Sequence, residues 1–239
     1  MKSGWVCLLS AAFLLPAIQA QTDTTKVNQN ASPEVKRIQA GTAAFDEMMH
    51  AKDGGIAQDI LEKAQCIGIV PNLKRAAFFF GGQYGRGIVT CRTTAANWSA
   101  PAMIAIEGGS FGLQFGGGET DVVFAVMNRS GMDKLMSDKF AIGANVTGAI
   151  GPIGREIQAN TDVEMRAEIL SWSRARGVFA GVSLQGATIH PDRDADAKLY
   201  GSDVEFRSIL NGHAAVPPSA RALLTALSRY VPKEPRTGE

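Results

Sequence analysis

Between Ala64 and Gly186 the chain repeats one pattern, a short apolar run broken by one or two glycines and followed by another apolar run. It is clearest at Phe78-Phe79-Phe80-Gly81-Gly82-Gln83-Tyr84-Gly85-Arg86-Gly87 and at Gly177-Val178-Phe179-Ala180-Gly181-Val182-Ser183-Leu184-Gln185-Gly186. Such short apolar runs bounded by glycine read as strands rather than helices. The candidates are 67–70 (ending at Pro71-Asn72), 75–81, 87–92, 102–107, 111–115, 121–127, 140–150, 166–174 and 178–189. Segment 140–150 alternates, with Phe140, Ile142, Ala144, Val146 and Ile150 on one face and Ala141, Gly143, Asn145, Thr147 and Ala149 on the other. Glycine inside a strand permits bends and close backbone approach. Repeated across a sheet, it predicts strong curvature, barrel- or sandwich-like.

Helical periodicity brackets this region. Ser32-Pro33-Glu34 is a helix start, with a hydroxyl cap, proline in the first turn and an acid beside it. Val35, Ile38, Phe45, Met48 and Met49 then share one face, and Asp53-Gly54-Gly55 ends the helix. A short helix with Ile56, Ile60, Leu61 and Ala64 as its stripe follows, another spans 130–137, and 192–230 reads as three helical pieces. The last piece presents Leu223, Leu224, Leu227 and Val231 on one face, which either packs on the core, lies in a membrane interface or docks a partner. The expectation is one α+β domain over 32–232, a strongly curved antiparallel sheet flanked by N- and C-terminal helices, and 239 residues suffice for one such core.

Residues 1–20 read as a secretory signal: Lys2, an uncharged apolar stretch over 6–15, a break at Pro16, and Ala20 at the cleavage position. That stretch is too short to span a bilayer. Residues 21–31, polar and rich in Thr, Asn and Gln, read as a disordered linker. The expected location is outside the cytoplasm, periplasmic or secreted and peripheral to a membrane. The exported chain keeps Cys66 and Cys91, which form either a disulfide or two buried thiols. Neither has a second Cys or His at ligand spacing, so no metal site and no cofactor are expected.

A formal net charge of +1 gives no global field toward nucleic acid, and no nucleic-acid partner is expected. The three histidines, His50, His190 and His213, stand in no nucleophile signature, so no catalytic residues are assigned. The segment 81–87 lacks the Gly-Lys-Ser/Thr of a phosphate loop and leads into a strand rather than a helix; it reads as a wide β-turn with Arg86 at its tip. Lys74, Arg75, Arg86 and Arg92 surround that hairpin. They are either four solvated charges or, at one end of the sheet, a basic patch for anionic lipid worth about 1 kcal/mol per cation. Asp192, Asp194 and Asp196 have the spacing of an incipient calcium loop, but Ala197 and Asp203 occupy its sixth and twelfth positions. The alternative is a solvated turn that caps the next helix.

The residues taken in order resemble the SYLF family. Ala64-Gln65-Cys66-Ile67-Gly68-Ile69 is similar to its first apolar strand, and Gly85-x-Gly87-Ile88-Val89 to its glycine turn. Trp98-Ser99-Ala100-Pro101, Gly108-Gly109 to Phe115-Gly116, Asp121-Val122-Val123, Gly151-Pro152-Ile153-Gly154-Arg155 and the segment 173–186 follow in family order, covering about residues 35–205. The resemblance implies non-enzymatic binding of phospholipid or phosphoinositide and, in eukaryotic members, of actin and SH3-domain partners. For an exported protein the transferable part is a phospholipid or other anionic amphiphile at a membrane, with actin not expected. The alternative is an envelope interaction protein that docks a partner through the C-terminal apolar helix face.

Overall fold

Four long strands carry the sheet: β1 (Cys66–Ala77), β2 (Phe80–Cys91), β3 (Ala102–Phe111) and β4 (Gly116–Val126). The computed structural model describes residues 31–230 apart from 52–54, 78–79, 94–96, 112–115, 138–139, 145, 153–166, 176–177 and 202–203. The leader, most of the linker, Phe78-Phe79, Ile153-Gly154-Arg155, Arg176-Gly177, Asp203 and Val231 therefore lie outside the described residues. Shorter strands follow: β5 (Phe140–Ala141), β6 (Gly148–Ile150), β7 (Ile169–Ala175), β8 (Val178–Gly181) and β9 (Ala187–Pro191). The helices are α1 (Pro33–Met49), α2 (Gln58–Lys63), α3 (Arg129–Leu135), α4 (Arg193–Tyr200), α5 (Phe206–Leu210) and α6 (Arg221–Tyr230), the last preceded by a 3-10 turn at Pro218–Ala220.

The strands form one sheet in the order β5-β9-β3-β2-β1-β4-β7-β6, with β8 also on β7. Every pairing is antiparallel except β6 on β7. The sheet curls into a half-barrel with helices from both ends of the chain packed on it. Alternation along each strand divides the core in two. One face sends Ile67, Ile69, Ile88, Met103, Val123 and Trp172 against Ile38, Phe45 and Met48 of α1 and Leu223 and Leu227 of α6. The other buries Val70, Leu73, Val89, Ile104, Val122 and Phe124 against Met132 and Leu135 of α3 and Phe206, Ile209 and Leu210 of α5. Each of these large side chains contributes about 1.5–3 kcal/mol by leaving water. The curl depends on places where one strand has no side chain. Phe124 lies across its register partner Gly68, where a Cβ would fall 2.0 Å from the ring.

Strand boundaries differ from the sequence reading most in four places. The break expected at Pro71-Asn72 is a bulge: Asn72 adopts φ +53°, its N–H donates to Asp121 Oδ1 at 2.9 Å, and β1 continues beyond it. The segment 81–87 is not a turn but lies within β2, so Arg86 is at no hairpin tip. The bulge presses on it there, and a Cβ at Gly87 would sit 2.4 Å from the Ile69 carbonyl oxygen. Segment 140–150 is not one alternating strand, since β5 pairs with β9 and β6 with β7, separated by Gly143 at φ +94°, and Ile150 is exposed. Segment 178–189 is likewise two strands, turned at Gly186, φ +80°.

Candidate functional site

Helix α1 begins where the sequence places it, with the Ser32 Oγ accepting from the Val35 N–H at 3.3 Å. That start brings Lys36 and Arg37 over the β1 bulge. Strand alternation puts Tyr84 and Arg86 on the α1 side of β2, in step with Ile88. Lys74, the register partner of Tyr84, lies on the same side. These elements enclose a groove of about 390 Å³, lined by Lys36, Arg37, Asn72, Lys74, Tyr84 and Arg86 among others, with no carboxylate among the described residues of its lining.

The groove's polar contacts hold two of its cations in place. Arg86 Nε donates to the Tyr84 hydroxyl at 3.0 Å, and Arg37 Nη1 donates to Asp192 Oδ2 at 2.9 Å. The same Asp192 oxygen lies 3.7 Å from Arg86 Nη1, so one carboxylate serves two guanidiniums. The bond to Tyr84, followed by the Asp192 charge, keeps Arg86 above the usual guanidinium range. Lys74 is mostly exposed, with Glu119 3.6 Å away, a pairing that solvent screens to little net energy. Beyond the Tyr84–Arg86 ridge a second groove, about 420 Å³, mixes Arg193 with Glu107, His190, Asp192 and Asp194. There His190 Nε2 stands 3.5 Å from Glu107 Oε1.

The four cations grouped in the sequence do not form one patch. Lys74 and Arg86 share the groove, whereas Arg75 points to the opposite face of β1, where its register partner is the buried Gln83. Arg92 is six residues along β2 from Arg86, about 20 Å at strand rise. It is buried, donates to the carbonyls of Ala64 (3.2 Å) and Glu62 (3.3 Å), and stacks 4.8 Å over Trp98. Cys66 and Cys91 are register partners, fully buried and joined by a disulfide.

The three aspartates at the start of α4 diverge. Asp192 pairs with Arg37, Asp194 is exposed, and Asp196 is 1% exposed with Oδ1 accepting from the Met103 N–H at 2.7 Å. Burial pushes the Asp196 carboxyl up to about 7, against the Met103 hydrogen bond that favours its charged form. No carboxylate, Cys and His cluster of metal-binding kind occurs among the described residues, and the calcium-loop spacing assembles none. The docking face expected on the last helix is occupied: Leu223 and Leu227 are fully buried, Leu224 is half-buried, and Tyr230 stacks edge-on against Phe45 of α1.

Sequence reasoning missed Tyr84 and did not connect Lys36 and Arg37 with Lys74 and Arg86. The available signal was the Tyr84-x-Arg86 spacing, which puts both residues on one side of a strand. Joining them to Lys36 required knowing that α1 crosses the β1 bulge.

The Ysc84 family model, described as "Las17-binding protein actin regulator", matches residues 107–230. The chain is similar to LAS seventeen-binding protein 3 of Saccharomyces cerevisiae, 32% identical over 212 residues, covering 86% of this chain and 46% of that one. It is 34% identical to the yeast Protein YSC84 over 172 residues, 70% of this chain and 36% of the relative. The human SH3 domain-containing YSC84-like protein 1 is 28% identical over 216 residues, 89% of this chain and 63% of the relative. The chain thus spans about half the length of the first of these relatives. The partner expectation drawn from the sequence, phospholipid with actin set aside, does not stand. One of these relatives is named for binding Las17, and the matching family is described as a Las17-binding actin regulator.

Proposed function

Since the chain belongs to the Ysc84 family, the same group as the SYLF resemblance, we propose that it is a binding domain rather than an enzyme, and that the cationic groove takes an anionic group of a protein partner. The observation that carries this reading is a groove lined by Lys36, Arg37, Lys74 and Arg86 without a carboxylate among its described residues. Two of the guanidiniums are already oriented by Asp192 and Tyr84, so little side-chain entropy is lost when an anion arrives. The family description makes filamentous actin the first partner to test.

A second reading has the same groove holding a phospholipid headgroup. Tyr84, 48% exposed beside the cations, supports it, because an amphipathic ring suits a membrane interface. A location outside the cytoplasm belongs to this second reading. The leader-like residues 1–20 support it, as does the Cys66–Cys91 bond, of a kind that persists in oxidising compartments.

The test is co-sedimentation of the chain with actin filaments and, separately, with anionic and neutral vesicles at low and high salt. Binding to filaments that weakens with salt and falls at least tenfold in a Lys36→Glu/Arg86→Glu variant is the expected result. Binding to anionic vesicles alone, with the same loss, would transfer the groove to the second reading. A variant that binds like the wild type, to either target, would refute the groove.

A further inference from the structure

Arg75 lies on the face of the sheet away from the groove. Leu73 points into the core beside α3 and α5, and the register runs unbroken through Leu73↔Thr120, Lys74↔Glu119 and Arg75↔Gly118, so Arg75 faces the same way as Leu73. Its guanidinium is partly enclosed, and both Nε and Nη2 are inaccessible to solvent without a hydrogen-bond partner among the described residues. Burial alone lowers its pKa, with no carboxylate acting to raise it. A guanidinium cannot shed its charge by deprotonating. An unmade hydrogen bond from a buried charged donor is among the most costly vacancies a fold can carry.

The geometry of the two orphaned atoms is specific. Nε and Nη2 form one edge of the guanidinium, the edge whose parallel N–H groups grip two oxygens of one carboxylate or phosphate. Beside them, Thr120 Oγ1 is also buried without a partner. Thr120 sits opposite Leu73, one strand over and on the same face. Gly118, the direct register partner of Arg75, has nothing within 4 Å of where a Cβ would be, so no side chain fills the neighbouring strand position. Three features therefore coincide at the glycine-rich end of this face: an unpaired bidentate fork, an unpaired hydroxyl and an open space in place of a side chain.

We propose that Arg75 anchors a second anion site, in which a carboxylate or phosphate docks side-on to Nε and Nη2 with the Thr120 hydroxyl donating to a further oxygen. The site is independent of the outer groove, since β1 separates Arg75 from Lys36, Lys74 and Arg86. It favours an oxyanion, whose two adjacent oxygens meet the two parallel N–H groups, over a monatomic anion such as chloride. A free anion or the phosphate of a lipid headgroup would present the same chemistry.

The experiment follows the Arg Nε resonances of the full chain by NMR while inorganic phosphate, acetate or chloride is added at constant ionic strength, with thermal melts in parallel. One Nε resonance, absent in Arg75→Lys, should move saturably with phosphate or acetate and not with chloride. Arg75→Lys, which keeps the charge but lacks the fork, should bind phosphate at least tenfold more weakly. Arg75→Met should melt no lower than the wild type in anion-free buffer and lose the phosphate-dependent rise in Tm. The Lys36→Glu/Arg86→Glu variant should keep both responses within twofold, which separates this site from the groove. Vesicles containing phosphatidic acid distinguish the source: competition with inorganic phosphate for the Arg75 signal assigns a headgroup, and no competition assigns a free anion. Absence of a saturable Arg75 shift with either oxyanion, or an equal response in Arg75→Lys, would overturn the proposal.

Discussion

Asp196→Asn should make the protein more stable at neutral pH and leave it nearly unchanged in acid. The carboxyl is 1% exposed, Oδ2 has no partner, and burial pushes its pKa from 3.8 to about 7. The folded protein therefore holds a proton that the unfolded chain releases from about pH 4 upward. Stability contributed by this group is full below about pH 4, falls as pH rises, and levels off above about pH 7. A shift of about three units at about 1.4 kcal/mol each corresponds to about 4 kcal/mol across that window. Asparagine keeps an acceptor for the Met103 N–H and carries no charge to bury. Urea unfolding of both proteins at several pH values between 4 and 8, with the disulfide intact, measures the effect. Subtracting the two curves cancels the other titrating groups. The difference should grow from near zero at pH 4 to several kcal/mol in favour of the variant at pH 8. A difference that does not change with pH would refute the reasoning, since it would mean that Asp196 titrates alike in both states.

Three further perturbations address other parts of the fold. Gly68→Ala drives a methyl into the Phe124 ring and should cost about 1–3 kcal/mol in a denaturant melt, and Phe124→Leu in the same chain should recover part of it. Replacing Cys66 and Cys91 by serine reopens a 25-residue loop and should lower unfolding free energy by about 3 kcal/mol, with reductant producing no further loss. Arg92→Met removes two hydrogen bonds to carbonyls and the stacking on Trp98, and should cost about 2 kcal/mol while shifting tryptophan emission. Unchanged emission would place the ring outside the influence of Arg92.

What the sequence shows and what it conceals divide along a physical line. Local chemistry was legible: the Ser32 cap, the apolar face of α1, and strands rich in glycine and therefore curved. Glycine was misleading as punctuation. In a flat sheet it ends strands, but here Gly85 and Gly87 lie inside β2 because the β1 bulge needs their missing side chains, and Gly68 is where Phe124 rests. The alternation read over 140–150 does not hold as one strand, because two short strands on different neighbours divide the segment and Ala144 and Ile150 are exposed; period alone does not name a partner. The site was least visible. Lys74 and Arg75 are adjacent in sequence and opposite in space, while Arg37 and Asp192, 155 residues apart, touch. Facing direction is set by register, and register by a bulge that reads in the sequence as an end.

The pairing of α1 with α6 has a consequence for how the chain is made. The same core face rests on the first helix and on the last, and Phe45 meets Tyr230 across nearly the whole described length. A ribosome releases α1 long before α6 exists. Until α6 emerges, α1 lacks the helix that packs on it, and the nascent domain cannot complete its fold. The interval leaves a long-lived, sticky chain that holdase chaperones can grip. It gains its final rigidity only when α1 and α6 meet.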